Sequence, residues 1–140
     1  SMNELISRIS AIIKKIKPTV IYLPFKNDVH SDHRICFDAI YACTKIFRYP
    51  FIKRILMMET LSETDFALAT KENAFVPNVF IDISNYIDQK CKAMSIYESE
   101  VSTHPFPRSI ETIKALARVR GACAGVNYAE SFMLLKEINS

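Results

Sequence analysis

Residues 19–23 read TVIYL, a β-branched and continuously apolar run set between Pro18 and Pro24. A strand that keeps one face in water alternates apolar and polar side chains. A run without that alternation belongs to a strand covered on both faces, as in a parallel sheet with helices packed against it. What precedes the run supports this. Ile6, Ile9, Ile13 and Ile16 recur at helical spacing along residues 3–17, Lys14, Lys15 and Lys17 load the last turn where cations suit the helix dipole, and Pro18 ends it.

The same logic carries along the chain. A polar loop over 24–31 leads into a helix from Asp32 or His33 to 47, with Cys36, Ile40, Cys43 and Phe47 facing inward. Residues 52–58 read as a second buried strand. Residues 59–77 form a long irregular stretch carrying Glu59, Glu63 and Asp65, and loops of that length inside compact domains are usually functional or disordered. A third strand over 79–83 follows, then a helix capped by Ser84 and running to 98, with Ile87, Cys91 and Met94 inward. The prolines in THPFPR, residues 103–108, predict a stiff extended loop, and Ser109 can cap a helix to 119 or beyond. Residues 128–136 lean towards a strand. The order αβαβ, loop, βααβ predicts an α/β fold with a mostly parallel sheet, as one domain over residues 1–140. Ser1-Met2 has the look of a protease remnant ahead of a native methionine.

Composition narrows the function classes. Hydrophobic residues make up 49% of the 140, enough for an ordinary core and against a disordered tail. Eighteen Lys or Arg against fifteen Asp or Glu give +3, too mild a bias for a nucleic-acid or membrane-surface protein. No apolar run approaches a membrane span, and no charged leader precedes an apolar segment. Only Gly121 and Gly125 are present, so glycine-rich phosphate loops are excluded; their GxxxG spacing fits close helix packing or a helix end. Cys36, Cys43, Cys91 and Cys123 form no CxxC pair and read as buried reduced thiols, which suits a cytoplasmic protein.

Chemistry concentrates in NDVHSDHR, where Asp28, His30, Asp32 and His33 fall just after the first strand and at the start of the next helix. In open α/β sheets ligands bind at that carboxyl edge. His30 and His33 can converge there, and a nearby carboxylate can fix a histidine's tautomer. Alternatively Asp32 is a helix cap and the histidines are loop residues. Zinc in a catalytic site takes three protein ligands, which these residues do not supply alone; His30, His33 and Asp28 could hold a metal only between two copies.

From about Ile12 to Glu137 the chain resembles the C-terminal part of the LmbE/PIG-L family of zinc-dependent de-N-acetylases. The likeness rests on VIYLPFKNDVHSDHR, RILMMETLSETDF, FVPNVFIDIS, KAMSIYESEVSTHPFPRS and RGACAGVNYAESFMLLKE. It implies a partial Rossmann-like three-layer sandwich and hydrolysis of an N-acetyl group on a sugar glycoconjugate. By that resemblance His33 is the zinc ligand, His30 the histidine facing the reacting amide, and Asp32 its orienting partner. His104 and Arg108 resemble substrate-side residues, with a structural turn and a surface ion pair as the alternative, and Glu130 a supporting one. The family's AHPDDE-type element, which supplies two further zinc ligands and the general base, has no counterpart in the sequence. The implied zinc site is therefore incomplete, and the competing expectation is a non-catalytic module that scaffolds or binds a partner. A strand such as TVIYL lacking its neighbours would expose an edge, so self-association or a complementing chain is expected.

Overall fold

The computed structural model describes residues 1–140, and they pack as two compact units, Ser1–Val76 with Phe132–Ser140, and Pro77–Ser131. The element order matches the sequence reading: α1 Met2–Ile16, β1 Val20–Pro24, α2 Ser31–Ala42, β2 Arg54–Met58, β3 Val79–Asp82, α3 Ile87–Ser95, α4 Ile110–Ala124 and β4 Ala129–Glu137. Ser1 belongs to this architecture, because its hydroxyl accepts from the Glu4 N–H at 3.3 Å and caps α1. Lys17 ends the helix in the left-handed region at φ 53°, returning its N–H to the Ile13 carbonyl at 2.7 Å.

In the first unit Ile13 of α1, Ile21 and Leu23 of β1, Phe25, Cys43, Tyr49, Ile52, and Ile55 and Met57 of β2 form one core. β1 and β2 pair in parallel, Ile21 opposite Ile55 and Leu23 opposite Met57. The strand order is β1-β2-β4-β3, which leaves β1 hydrogen-bonded on one side only. β2 and β4 are antiparallel, with a register shift between Ile55 and Leu56. The sheet is therefore mixed, and the mostly parallel sheet expected from sequence is corrected. Nor is β1 covered on both faces: Ile21 and Leu23 are buried while Tyr22 between them is 44% exposed, so a continuous apolar run fixes neither two-sided cover nor direction.

Three further expectations change. α2 ends at Ala42 rather than at 47, because the N–H groups of Cys43 and Thr44 return to Ile40 and Tyr41, and the Thr44 hydroxyl donates to the Tyr41 carbonyl at 2.7 Å. Tyr49 fills the core instead, and Phe47 stands 75% exposed. α3 begins at Ile87 without a Ser84 cap, since the Ser84 N–H and hydroxyl both donate to Asp82 Oδ1, at 2.9 and 2.6 Å. Residues 103–108 fold as two tight turns, closed by Phe106 N–H to Thr103 at 3.0 Å and Ser109 N–H to Phe106 at 3.1 Å, rather than as an extended loop.

In the second unit α3 and α4 pack together, and Ser109 caps α4 by accepting from the Thr112 N–H at 3.0 Å. Both glycines have backbone reasons. A Cβ on Gly121 would stand 2.7 Å from the Val126 carbonyl oxygen, and Gly125 ends α4 at φ 70°. Glu130 is partly exposed, and it is met by the Lys90 ammonium. All four cysteines are free, but only Cys43 and Cys91 are buried as expected; Cys36 is half-buried and Cys123 exposed.

Candidate functional site

β1 and β2 are parallel, so the segments that follow them leave the sheet at the same edge. There the chain after β1 turns through Phe25, whose carbonyl accepts from the Asp28 N–H at 3.1 Å and whose ring meets Phe75 edge-on at 5.3 Å. The segment after β2 grips this turn. Val29 N–H donates to the Glu63 carbonyl at 3.1 Å, and the Thr64 hydroxyl donates to Asp28 Oδ1 at 2.7 Å while accepting from the Thr60 N–H at 2.9 Å. Arg34 closes the turn from α2, donating to the carbonyls of Asp28 and Val29 at 2.8 and 2.7 Å.

Asp28 is 0% exposed, and its second oxygen, Oδ2, lies 2.7 Å from His33 Nδ1. A carboxylate can only accept, so His33 carries its proton on Nδ1 and, in the neutral ring, presents a lone pair at Nε2. His30 is held the opposite way. It is the N-cap of α2, and its Nδ1 accepts from the Asp32 N–H at 3.1 Å, which places the proton of the neutral ring on Nε2. The rings stack at 5.2 Å and 28°. One helix start thus displays an electron-pair donor and a hydrogen-bond donor side by side. Negative charge developing there is favoured by the dipole of α2.

His30, Asp32 and His33 come together as the motif suggested, with a difference in partners. The Asp32 backbone N–H is what meets His30, while its exposed carboxylate sits on the first turn. The carboxylate that holds a histidine belongs to Asp28. Sequence reading missed Thr64; its place in the segment after β2, parallel to β1, was the signal that could have found it. His104 and Arg108 lie in the second unit, His104 exposed. The Arg108 Nε donates to the Glu100 carbonyl at 2.7 Å, a guanidinium nitrogen is 3.2 Å from Glu100 Oε2, and the group covers the Phe106 ring at 5.1 Å. Nowhere do three or more His, Cys, Asp or Glu side chains gather as a metal-binding group.

No protein-family model matches the sequence. Solved structures do share the fold. A conserved protein from Thermus thermophilus superposes with TM-score 0.72 at 23% identity over 98% of this chain and 60% of its own. The hydratase GalB of Pseudomonas putida, acting on 4-carboxy-2-hydroxymuconate, gives 0.69 at 14% over 99% and 60%. The N,N'-diacetylchitobiose deacetylase of Pyrococcus horikoshii gives 0.69 at 18% over 97% and 52%. The chain thus spans roughly half to three-fifths of the length of these structures. Its fold is shared with deacetylases of the LmbE/PIG-L type. A hydratase shares it too, so the reaction must be argued from the side chains.

Proposed function

We propose that the chain is a diverged relative of the LmbE/PIG-L de-N-acetylases and carries the histidine part of a site that hydrolyses an N-acetyl group on a sugar glycoconjugate. The carrying observation is the opposed states of the two rings, His33 Nδ1 held by Asp28 at 2.7 Å and His30 Nδ1 by the Asp32 N–H at 3.1 Å. Amide hydrolysis needs a donor where the carbonyl oxygen gathers charge and a proton for the departing amine. The His30 Nε2–H suits the oxyanion as a hydrogen-bond donor and keeps its proton, since Nδ1 is taken by the Asp32 N–H; the proton that the departing amine gains is one that the attacking water gives up. Asp28, itself fixed by Thr64, keeps His33 from turning its lone pair away.

The zinc that the resemblance implies fits these residues only in part. His33 is suited to be one ligand, with a carboxylate on its far nitrogen as metal-bound histidines commonly have. Three ligands are needed and no such group is present, so no step is routed through the metal. The site is completed by donors beyond these residues, and the open edge of β1 is where a further strand can pair, from upstream in the same reading frame, from a complementing chain or from a second copy.

Acetate release from an N-acetylglucosamine glycoside tests the reading, with zinc measured by elemental analysis on the chain and on His33→Ala. The 140 residues alone should hold well under one zinc and release no acetate above buffer. Turnover that survives His33→Ala would overturn the assignment. The alternative, a non-catalytic partner-binding module, predicts that supplying strands and ligands from a complementing segment restores no His30-dependent turnover. Light scattering at tens of micromolar reports self-association directly, and a clean monomer would argue for the complementing chain over a second copy.

A further inference from the structure

At the opposite end of α2 from His30 and His33, about 18 Å away at about 1.5 Å per residue, α1 and the turn after α2 enclose a groove. It holds about 430 Å³, with Ser10 and Tyr49 at its floor and Lys14 and Arg48 at its rim. Tyr49 is 4% exposed, so its ring is fixed in the core, and its hydroxyl lies 2.8 Å from the Ser10 hydroxyl. In such a pair one hydroxyl donates to the other, and the accepting one keeps its own hydrogen for a further acceptor. The Lys14 ammonium stands 6.0 Å over the Tyr49 ring, and the Arg48 guanidinium 5.4 Å over the Phe47 ring.

No carboxylate neutralises this rim. Glu4, on the same helix, is taken by Arg8 at 2.7 Å. Asp28 is committed to His33 and Thr64. Residues 1–54 hold ten Lys or Arg against four Asp or Glu, so the wider field is also positive. The end of α2 would ordinarily repel an anion, but its Ile40 and Tyr41 carbonyls are already met by Cys43, Thr44 and the Thr44 hydroxyl.

We infer that this groove is a second binding site, for the phosphomonoester group of a small ligand. The Arg48 fork offers paired donors to phosphate oxygens, Lys14 adds a point charge, and the free hydroxyl of the Ser10–Tyr49 pair adds a third direction. The volume admits a phosphate with a compact body attached. The inference is independent of the deacetylase reading, since it uses none of the residues around His30 and His33.

Two-dimensional ¹H–¹⁵N NMR with inorganic phosphate tests it, against sodium chloride at matched ionic strength. Saturable shifts are expected at Ser10, Lys14, Arg48 and Tyr49 in phosphate and not in chloride. Arg48→Ala should weaken binding about tenfold or more, the range for losing one charge-assisted hydrogen bond. Tyr49→Phe keeps the buried ring and should weaken it several-fold at an almost unchanged unfolding midpoint, and Lys15→Ala should bind as wild type. Co-sedimentation with phosphatidic acid and phosphatidylcholine vesicles separates the sources. Binding to the first alone, lost on Lys14→Ala with Arg48→Ala, makes the phosphate a lipid headgroup; phosphate binding without vesicle binding makes it a soluble metabolite. Equal shifts in chloride, or phosphate binding that ignores Lys14→Ala and Arg48→Ala, overturns the site.

Discussion

Replacing Asp28 is the sharpest test of how the histidine pair is held. Asp28→Ala removes the acceptor of two 2.7 Å hydrogen bonds, from His33 Nδ1 and from the Thr64 hydroxyl. A hydrogen bond to a charged group contributes about 1.5–3 kcal/mol. Water can take up part of the loss at His33, whose side chain is 29% exposed, but Thr64 is buried and keeps an unmet hydroxyl. The net cost is about 3–4 kcal/mol, at the lower end for breaking a buried charged network by one partner. For a chain of this length that lowers the thermal midpoint by about 10–15 °C. Asp28→Asn separates stability from function. Its amide oxygen can still accept from Thr64, but its NH₂ then faces His33 Nδ1, and two donors cannot meet there. The ring must move its proton to Nε2, losing the lone pair while the fold gives up about 1–2 kcal/mol. Circular dichroism melts measure the stabilities, and long-range ¹H–¹⁵N correlation spectra report which ring nitrogen carries the proton. An alanine variant within about 1 kcal/mol of wild type, or an asparagine variant that retains His33 Nδ1–H, refutes the scheme.

Other substitutions probe separate elements. Gly121→Ala forces a Cβ to within 2.7–2.8 Å of the backbone of Val126 and Asn127 and should destabilise by about 2–3 kcal/mol in denaturant titrations. Gly125→Ala meets open space and strains only its φ of 70°, costing about 1 kcal/mol, with Gly125→Asn cheaper. Leu56→Ala, at a fully buried position of β2, should cost about 3–4 kcal/mol by the same titrations. The Ser84 hydroxyl and N–H hold the Asp82 carboxyl below its ordinary 3.8. A depressed folded-state value gives stability that is present above the unfolded value and lost as pH falls through the folded one. The stability difference between wild type and Ser84→Ala should therefore be level at neutral pH and shrink below about pH 3.8. A difference that grows in acid contradicts that sign.

How much of this was legible in the sequence depends on the range of the force involved. Helix α1, the TVIYL strand and the α4 cap are set by neighbours a few residues away, in Ile6 to Ile16, Pro18 and Ser109, and they stand where those residues place them. The end of α2 was misplaced because Phe47 keeps the helical spacing, while the Thr44 hydroxyl competes for a carbonyl that a longer helix would have used. Ser84 was credited to α3 and serves Asp82, two residues back, for the same reason. Strand direction had no local signal at all: β4 runs against β2 through partners about eighty residues away in sequence.

The candidate site divides along the same line. That His30 and His33 sit together follows from their spacing at a helix start. Which nitrogen each ring exposes does not, because it is decided by what holds the other nitrogen. For His30 that group is the Asp32 N–H, available only because the helix begins at Ser31 and leaves its first N–H groups unpaired. For His33 it is Asp28, aimed by a threonine from the segment after the neighbouring strand. Moving the start of α2 by one residue would take the Asp32 N–H away from His30 and leave the motif HSDH intact. The chemistry of the pair therefore rests on the parallel pairing of β1 with β2, which brings Thr64 to Asp28, more than on the letters of the motif itself.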